Sequence, residues 1–128
     1  MREIKFRAWH TVKGKMYSWE YIKNTYTIHA LSDENVVQLK FMQYTGLKDK
    51  NGVEIYEGDI VDILHPAWSE RMKVIFDRGS FTLHQITPVH GNNTLVRMSA
   101  IELWEESNNW KMEVISNIYE NPELLERL

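Results

Sequence analysis

The five histidines are the residues of this sequence best suited to acid–base or metal chemistry. They are His10, His29, His65, His84 and His90. None of them has another histidine at i+2 or i+4, the spacings that place two imidazole rings on one metal ion. His84 and His90 flank a proline-containing loop, where they could meet His65 or Asp77 at a divalent cation. A hydrolase with a histidine–carboxylate site is therefore one hypothesis, but we favour histidines that stay apart on loops and strand faces.

Other motifs of catalysis are missing from the sequence. It contains no Gly-x-Ser-x-Gly nucleophile elbow, no phosphate-binding loop and no cysteine. Gly46, Gly52 and Gly58 recur at regular intervals, but they are expected to mark turns. Asp59 follows Gly58 at the start of a strand, where its carboxylate is expected to accept backbone N–H groups of the turn. We therefore predict a non-enzymatic protein with no metal, no cofactor and no catalytic residue.

Aromatic and basic side chains are interleaved near the N-terminus. Such a pattern can stack nucleic-acid bases and hold phosphates, or it can contact a protein partner. The candidate surface comprises Arg7, Trp9, Lys13, Lys15, Trp19 and Lys23. Half-buried strands in an aromatic-rich protein show the same pattern, and packing in the core or between subunits is the interpretation that we favour.

Charge is distributed unevenly along the chain. Residues 1–23 contain six basic and two acidic side chains, whereas residues 101–128 contain seven acidic and two basic ones. These opposite charges could attract neighbouring subunits, or the two ends could simply lie together within one chain. The C-terminal leucines Leu124, Leu125 and Leu128 form a candidate assembly surface, although docking on the protein's own barrel is the favoured alternative. The formal net charge of −3 gives the whole chain no attraction for nucleic acid.

Length and composition are those of one soluble globular domain. The chain has 128 residues, of which 43% are hydrophobic and 26% are charged, and this is enough for a core without disulfides. No apolar run is long enough to cross a bilayer and no signal peptide is evident, so we expect a cytoplasmic protein without membrane contact. Within the single domain, residues 1–128, an N-terminal strand layer (1–45) is expected to precede a barrel core (46–119) and a C-terminal helix (120–128).

Apolar and polar residues alternate along most of the chain, the pattern of half-buried strands. Strands are predicted at residues 4–8, 16–21, 37–41, 59–64, 72–76, 81–85 and 110–119, with strand or mixed structure at 95–104 and a weaker strand at 22–31. Turns or loops are predicted at residues 13–15, 32–35, 65–70, 77–80, 87–94 and 107–109. A short helix is predicted at residues 122–127, because Asn121 is a good N-cap and Pro122 suits the first helical position. These elements predict a mainly β fold, a bent antiparallel sheet closing into a barrel-like fold with a short C-terminal helix.

Residues 44–61 form the most specific pattern in the sequence. They predict a strand, a hairpin with Asn51 and Gly52 at its tip, a second short strand, and a corner at Gly58 and Asp59 into a third strand. An Asn-Gly pair is a strong hairpin signal, because a type I′ turn needs φ > 0 at both of its central residues. We therefore expect Asn51 and Gly52 both to adopt positive φ.

Three motifs together resemble those of a known family. The N-terminal motif is IKFRAW at residues 4–9, the central one is MQYTGLKD at 42–49 with IYEGDIV at 55–61, and the C-terminal one is EVISNIYENPELL at 113–125. On these motifs, which span nearly the whole chain, the protein resembles the YopX family of phage and prophage proteins. His10 stands where the family usually has Asp, and Ser116 stands where it usually has Gly. Ser116 therefore weakens the expectation that this strand needs a glycine bulge.

The resemblance implies a β-barrel-like fold, a bacterial host cytoplasm and self-association, but no particular activity. Together with the residues, it leads us to expect a non-enzymatic phage or prophage accessory protein that forms a homo-oligomer and binds a phage or host protein. The sequence does not specify the biological role of such a protein. The alternative is a nucleic-acid-binding module that uses the basic aromatic N-terminal region.

Overall fold

Two antiparallel β-sheets form most of the computed structural model, which describes residues 3–25, 38–86, 95–97 and 111–125. Several sequence-based expectations lie outside the described residues. They are the turns or loops at 32–35, 87–94 and 107–109, part of the strands at 22–31 and 95–104, and the side chains of His29, His90 and Leu128.

The first sheet has four strands and curls into a half-barrel. Its strands are β1 (Phe6–His10), β2 (Lys15–Tyr17), β3 (Leu39–Lys48) and β4 (Glu54–Tyr56), in the spatial order β2-β1-β3-β4. Helix α1 (Trp19–Thr25) follows β2 and packs on one face of the sheet, where its Ile22 is buried with Ala8 and Leu39. Because side chains alternate along a strand, Arg7 and Trp9 point to the opposite face from Ala8.

The second sheet contains the larger hydrophobic core. Its described strands are β5 (Asp59–His65), β6 (Trp68–Asp77), β7 (Ser80–Gln85), β8 (Leu95–Arg97) and β9 (Lys111–Asn117), in the order β8-β7-β6-β5-β9. One buried cluster joins this sheet to β4: Ile55, Val61, Ile63, Met72, Val74, Phe81, Leu83 and Met112. A 3₁₀ helix, Pro122–Leu125, follows the sheet. The predicted mainly β, barrel-like fold with a short C-terminal helix is confirmed.

The corner at Gly58 joins the two sheets. The Gly58 N–H donates to the Val74 carbonyl at 2.8 Å, and the Gly58 carbonyl accepts the Ile118 N–H at 2.9 Å. Its φ is 87°, and a Cβ atom at this position would lie 3.1 Å from the Met42 sulfur. A residue with a side chain would therefore be strained here, which explains why the corner has glycine.

Asp49 ties the loop between β3 and β4 to β9. Its Oδ1 accepts the N–H groups of Asn51 and Val53 at 2.8 and 2.9 Å, and its Oδ2 accepts the Val114 N–H at 2.9 Å. Burial, the largest single influence, acts to raise the pKa of Asp49. The three backbone donors together outweigh it, so that the pKa is lower than its ordinary value.

The expectation of positive φ at both Asn51 and Gly52 is wrong for Asn51. Gly52 has a φ of 82°, but Arg78 is the one described non-glycine residue with positive φ. The reason is the longer loop at residues 49–53, which is closed by the Asp49 N–H bonding the Val53 carbonyl at 2.8 Å. Two successive positive φ angles, 52° at Arg78 and 82° at Gly79, occur instead at the tip of the β6–β7 hairpin. The turn predicted at residues 77–80 is thus confirmed.

Residues 19–25 form a helix instead of the strands predicted at 16–21 and 22–31. Ser18 begins it as an N-cap, because its Oγ accepts the Tyr21 N–H at 3.2 Å and its carbonyl accepts the Ile22 N–H at 3.0 Å. Glu20 lies in the first turn and Lys23 in the last, where each complements the helix dipole. These local signals outweigh the β propensity of the aromatic residues, and only Lys15–Tyr17 pairs with β1.

The connection between β5 and β6 is shorter than the loop predicted at residues 65–70. His65 pairs with Trp68, so only Pro66 and Ala67 connect the two strands. Pro66 is compatible with this hairpin because it lies in the turn, where no ladder donor is required.

Asn121 does not cap the C-terminal helix with its side chain, contrary to expectation. Its Oδ1 accepts a hydrogen bond from the Ser116 hydroxyl, and its Nδ2 donates to Glu123 at 2.7 Å. Asn121 bonds the start of the helix only through its backbone carbonyl, which accepts the Leu124 N–H at 3.1 Å. The Ser116 hydroxyl thus occupies the side-chain acceptor that a cap would use.

Strand β9 contains a bulge although Ser116 stands where the resemblance leads us to expect glycine. Ile60 lies opposite Ser116, whereas Val61 lies opposite Val114. Ile115 is therefore the additional residue, and the bulge forms without glycine.

Candidate functional site

An open cleft of about 460 Å³ lies beside β1, with walls from the segment that precedes β1, from α1 and from β4. Trp19 and Tyr56 supply aromatic surface, and Met16 and Ser18 contribute at the end of β2. Six charged residues also line it: Glu3, Lys5, Arg7, Glu20, Lys23 and Glu54. A cleft of this size can hold a side chain or a short peptide segment.

Lys5 lies between an aromatic ring and two carboxylates. Its ammonium group is 4.8 Å from the centroid of the Tyr44 ring, forms an ion pair with Glu54, and lies 3.8 Å from Glu3. The hydrogen bond to the Glu54 carboxylate is the main reason why the pKa of Lys5 is raised above its ordinary value. The charge of Lys5 is therefore already neutralised within the chain.

Arg7 lies deeper and is paired with the most buried carboxylate of the described region. Its guanidinium carbon is 4.7 Å from the centroid of the Tyr56 ring, and its Nη2 donates to Asp59 Oδ1 at 2.6 Å. Arg7 Nε is buried and donates to no acceptor among the described residues. Asp59 also accepts the Tyr56 N–H at 2.8 Å, which confirms that its carboxylate bonds the backbone of the turn.

The ionisation of Asp59 reflects opposing influences. Burial raises the pKa of Asp59 above its ordinary value, while the Arg7 charge and the hydrogen bonds from the Tyr56 N–H and from Arg7 act to lower it. The partnership with Arg7 has no local signal in the sequence, because 52 residues separate the two.

Lys23 repeats the arrangement at the rim of the cleft. It lies 6.0 Å from the centroid of the Trp19 ring and 3.2 Å from Glu20, one helical turn away. Both charged side chains are well exposed, so this ion pair stabilises the fold little and opens easily. Each cation of the cleft thus lies over an aromatic ring and beside a carboxylate.

The structure divides the candidate surface predicted from the sequence. Arg7, Trp19 and Lys23 line the cleft. Trp9 lies elsewhere and stacks on Tyr119, with ring centroids 6.0 Å apart and planes inclined by 16°. Lys13 and Lys15 are exposed in and after the turn between β1 and β2, and they form no ion pair with other described residues. The acidic members of the cleft were not part of the predicted surface.

Two of the described histidines accept hydrogen bonds from nearby backbone N–H groups. His10 Nδ1 accepts the Lys13 N–H at 3.0 Å, and His65 Nδ1 accepts the Ala67 N–H at 3.1 Å. Over residues 3–25, 38–86 and 111–125, no three His, Asp or Glu side chains are grouped so that they could hold a metal ion. The hypothesis that His84 meets His90 stays a prediction, since His90 is outside the described residues.

The C-terminal leucines lie in the final 3₁₀ helix. Leu124 and Leu125 are half-buried, and Leu128 is outside the described residues. Among the described helices, none has the length and apolar character needed to span a membrane.

Comparisons with known proteins agree with this fold. A family model described as YopX protein matches residues 5–126. The crystal structure of protein EF1440 from Enterococcus faecalis is similar, with a TM-score of 0.62 and 24% sequence identity over 98% of this chain and 100% of that one. The crystal structure of protein yopX from Bacillus subtilis has a TM-score of 0.60 and 24% identity over 95% of this chain and 98% of that one. Among curated proteins no significant match is found.

Proposed function

The chain belongs to the YopX family, and from this premise we propose that it is a non-enzymatic phage or prophage accessory protein of the bacterial cytoplasm that acts by binding another protein. The observation that carries the proposal is the cleft beside β1. It combines the aromatic rings of Trp19 and Tyr56 with exposed charged groups at its rim, and aromatic residues beside a polar rim are common at protein-binding surfaces. Its cations are already engaged by carboxylates and rings, which favours binding over catalysis by these groups.

Retention of a partner tests the proposal. Full-length protein is immobilised, and nuclease-treated extract of bacteria that carry the phage or prophage is passed over it. The cleft variant is E20Q/K23Q, which removes the exposed ion pair at the rim without changing net charge. The control is D62N/R71Q, which removes an ion pair of 3.1 Å on the second sheet in the same way.

We expect a protein to be retained equally by the wild-type and control chains and roughly fivefold less by the cleft variant, because the two rim charges together contribute about 1 kcal/mol. Retention of no protein, or equal loss in both variants, contradicts binding through the cleft.

Self-association is the second part of the proposal. Lys13 and Lys15 are exposed near one end of the chain, whereas Glu120 and Glu123 are exposed near the other. Contact between these groups of neighbouring subunits would be electrostatic and therefore sensitive to salt. Light scattering should give a mass above 15.2 kDa at low salt that falls toward this value at about 1 M salt. A mass of one chain at every protein and salt concentration contradicts self-association.

A nucleic-acid-binding module is the second candidate function, supported by the exposed Lys13 and Lys15. Base stacking on the nearby aromatic rings is less favoured, because Trp9 already stacks on Tyr119 and Trp19 packs 5.7 Å from Phe6. Fluorescence anisotropy with single- and double-stranded oligonucleotides at low salt tests this function. Binding that K13Q/K15Q abolishes would support it, and no binding by the wild-type chain excludes it.

A further inference from the structure

Asn51 is the one asparagine of the sequence that is followed by glycine. Both residues are exposed, in the loop that is closed by the Asp49 N–H bonding the Val53 carbonyl. Glycine has no Cβ atom, so the backbone nitrogen of Gly52 can approach the side-chain amide of Asn51 with little steric hindrance. Attack of that nitrogen on the amide carbon is the first step of deamidation, the reaction that makes asparagine a thermolabile residue.

The side-chain amide of Asn51 is also unengaged. It forms no hydrogen bond with another described residue, whereas the side chains of the other three described asparagines all form one or more. Asn24 donates to a carbonyl one helical turn away at 2.8 Å, Asn117 accepts two backbone N–H groups, and Asn121 bonds two side chains. Each of these three is followed by a residue larger than glycine. The structure thus separates Asn51 from the other described asparagines.

Asp49 restrains the nitrogen that would react. The Gly52 N–H donates to the Asp49 carbonyl at 3.0 Å, and Asp49 Oδ1 accepts the N–H groups of Asn51 and Val53. The Gly52 nitrogen must lose its proton to attack, and both its hydrogen bond and the nearby negative charge oppose this loss. Because residues 50–53 are exposed, the loop can open locally while the core stays folded.

We propose that Asn51 is a deamidation site of the folded protein and that closure of the loop by Asp49 sets the rate of the reaction. The Gly52 nitrogen bonds Cγ of Asn51, the Cγ–Nδ2 bond breaks, and the proton of Gly52 leaves with Nδ2 as ammonia, which closes a succinimide ring. Water then opens this ring at either carbonyl carbon and leaves aspartate or isoaspartate at position 51. Both products carry one additional negative charge, and isoaspartate also adds a methylene group to the backbone.

The modification would weaken the connection between this loop and β9. A carboxylate at position 51 repels the carboxylate of Asp49, and an additional backbone atom displaces the N–H groups that Asp49 accepts. Asp49 Oδ2 bonds the Val114 N–H of β9 at 2.9 Å, so displacement of Asp49 loosens this contact as well. The inference does not depend on the proposed binding function.

Peptide mapping by mass spectrometry tests this inference. Wild-type protein is kept folded in mildly alkaline buffer, and samples taken over several weeks are digested at acid pH, where the reaction is slow. The digests are compared with synthetic peptides that carry asparagine, aspartate or isoaspartate at position 51. Asn24, Asn117 and Asn121 are internal controls. A parallel sample unfolded in guanidinium chloride measures the reaction without the hydrogen bonds of the loop.

We expect Asn51 to deamidate in the folded protein roughly tenfold faster than any of the three controls, because each control must first break a side-chain hydrogen bond. Unfolding should accelerate the reaction at Asn51 roughly tenfold, because it breaks the bond between the Gly52 N–H and the Asp49 carbonyl. Deamidation at Asn51 no faster than at the controls overturns the proposed site. Equal rates in the folded and unfolded samples overturn the role given to the loop.

Discussion

At the scale of single residues, two buried carboxylates respond to pH in opposite directions. Asp59 is buried beside one arginine, whereas Asp49 is buried beneath three backbone N–H donors. The pKa of Asp59 is raised, chiefly by burial, and the pKa of Asp49 is lowered by its donors. A raised folded-state pKa makes the ionised carboxyl a cost to stability at neutral pH, and a lowered one makes it a contribution.

Removing Arg7 should show how strongly the buried charge of Asp59 destabilises the fold when it has no partner. We expect Arg7→Met to lower the free energy of unfolding by about 3 kcal/mol at neutral pH, because it leaves Asp59 buried without its cation. The pKa of Asp59 should rise further, so the deficit should shrink as the pH falls below that value and the carboxyl becomes protonated. Urea denaturation of both chains over a range of pH measures this. A deficit that does not change with pH contradicts the role given to Asp59.

Asp49→Asn should be destabilising for a different reason. An amide offers one acceptor oxygen in place of two, so we expect a loss of about 2 kcal/mol at neutral pH. Since the folded pKa of Asp49 is lowered, the wild-type stabilisation is present above the ordinary pKa and is lost as the pH falls through the folded value. The difference in the free energy of unfolding between the wild-type and Asp49→Asn proteins should therefore become smaller at acid pH.

Asp62→Asn is the control for Asp49, because Asp62 contacts the exposed Arg71 side chain. It should change the unfolding free energy by less than about 0.5 kcal/mol. Equal effects at the two positions would show that the backbone hydrogen bonds of Asp49 do not stabilise the loop.

At the scale of elements, a positive φ at a residue with a side chain occurs at the tip of the β6–β7 hairpin. It does not occur at Asn51, where the Asn-Gly pair predicts it. Arg78 has a φ of 52°, although a residue with a side chain pays about 1 kcal/mol or more for this conformation. Asn tolerates it better, so Arg78→Asn should raise the free energy of unfolding by about 0.5 kcal/mol. Asn51→Ala should be nearly neutral, because Asn51 does not adopt positive φ. Thermal unfolding measures both, and a larger loss at Asn51 than gain at Arg78 contradicts the assigned turns.

The sequence predicts those elements in which local pattern and tertiary packing agree. Period-two alternation predicts β1, β3, β5, β7 and β9, and glycine signals predict the corners at Gly58 and Gly79. The prediction from sequence fails at α1, where the aromatic residues favour a strand but Ser18 provides an N-cap. It also fails at Asn51, because the acceptor role of the Asp49 side chain depends on β9, which is distant in sequence.

The site was predictable only in part. Arg7, Trp19 and Lys23 were identified from their residue types and lie in the cleft. Glu20 could have been added once α1 was recognised, since residues three apart meet on a helix. The pairing of Arg7 with Asp59 had no such signal, because it depends on how β1 meets the corner before β5.

At the scale of the whole molecule, residues 44–61 join the two sheets. Asp49 bonds β9, Gly58 bonds β6, and Asp59 bonds β1 through Arg7. The N–H groups that donate in or beside these contacts should therefore exchange only when the protein unfolds as a whole. Hydrogen exchange of the Tyr56, Gly58 and Val114 N–H groups should be as slow as that of the slowest β5 and β6 amides, whereas faster exchange at these three positions contradicts joint unfolding of the sheets.

Mapping the contact surface by NMR tests the proposed binding cleft most directly. The retained partner is added to ¹⁵N-labelled wild-type protein, and chemical-shift changes are followed for backbone amides and the Trp19 indole N–H. We predict the largest changes at Met16, Trp19, Glu20 and Lys23, with little change in β6 and β7. Changes concentrated on the second sheet or on the C-terminal 3₁₀ helix would contradict binding at the cleft.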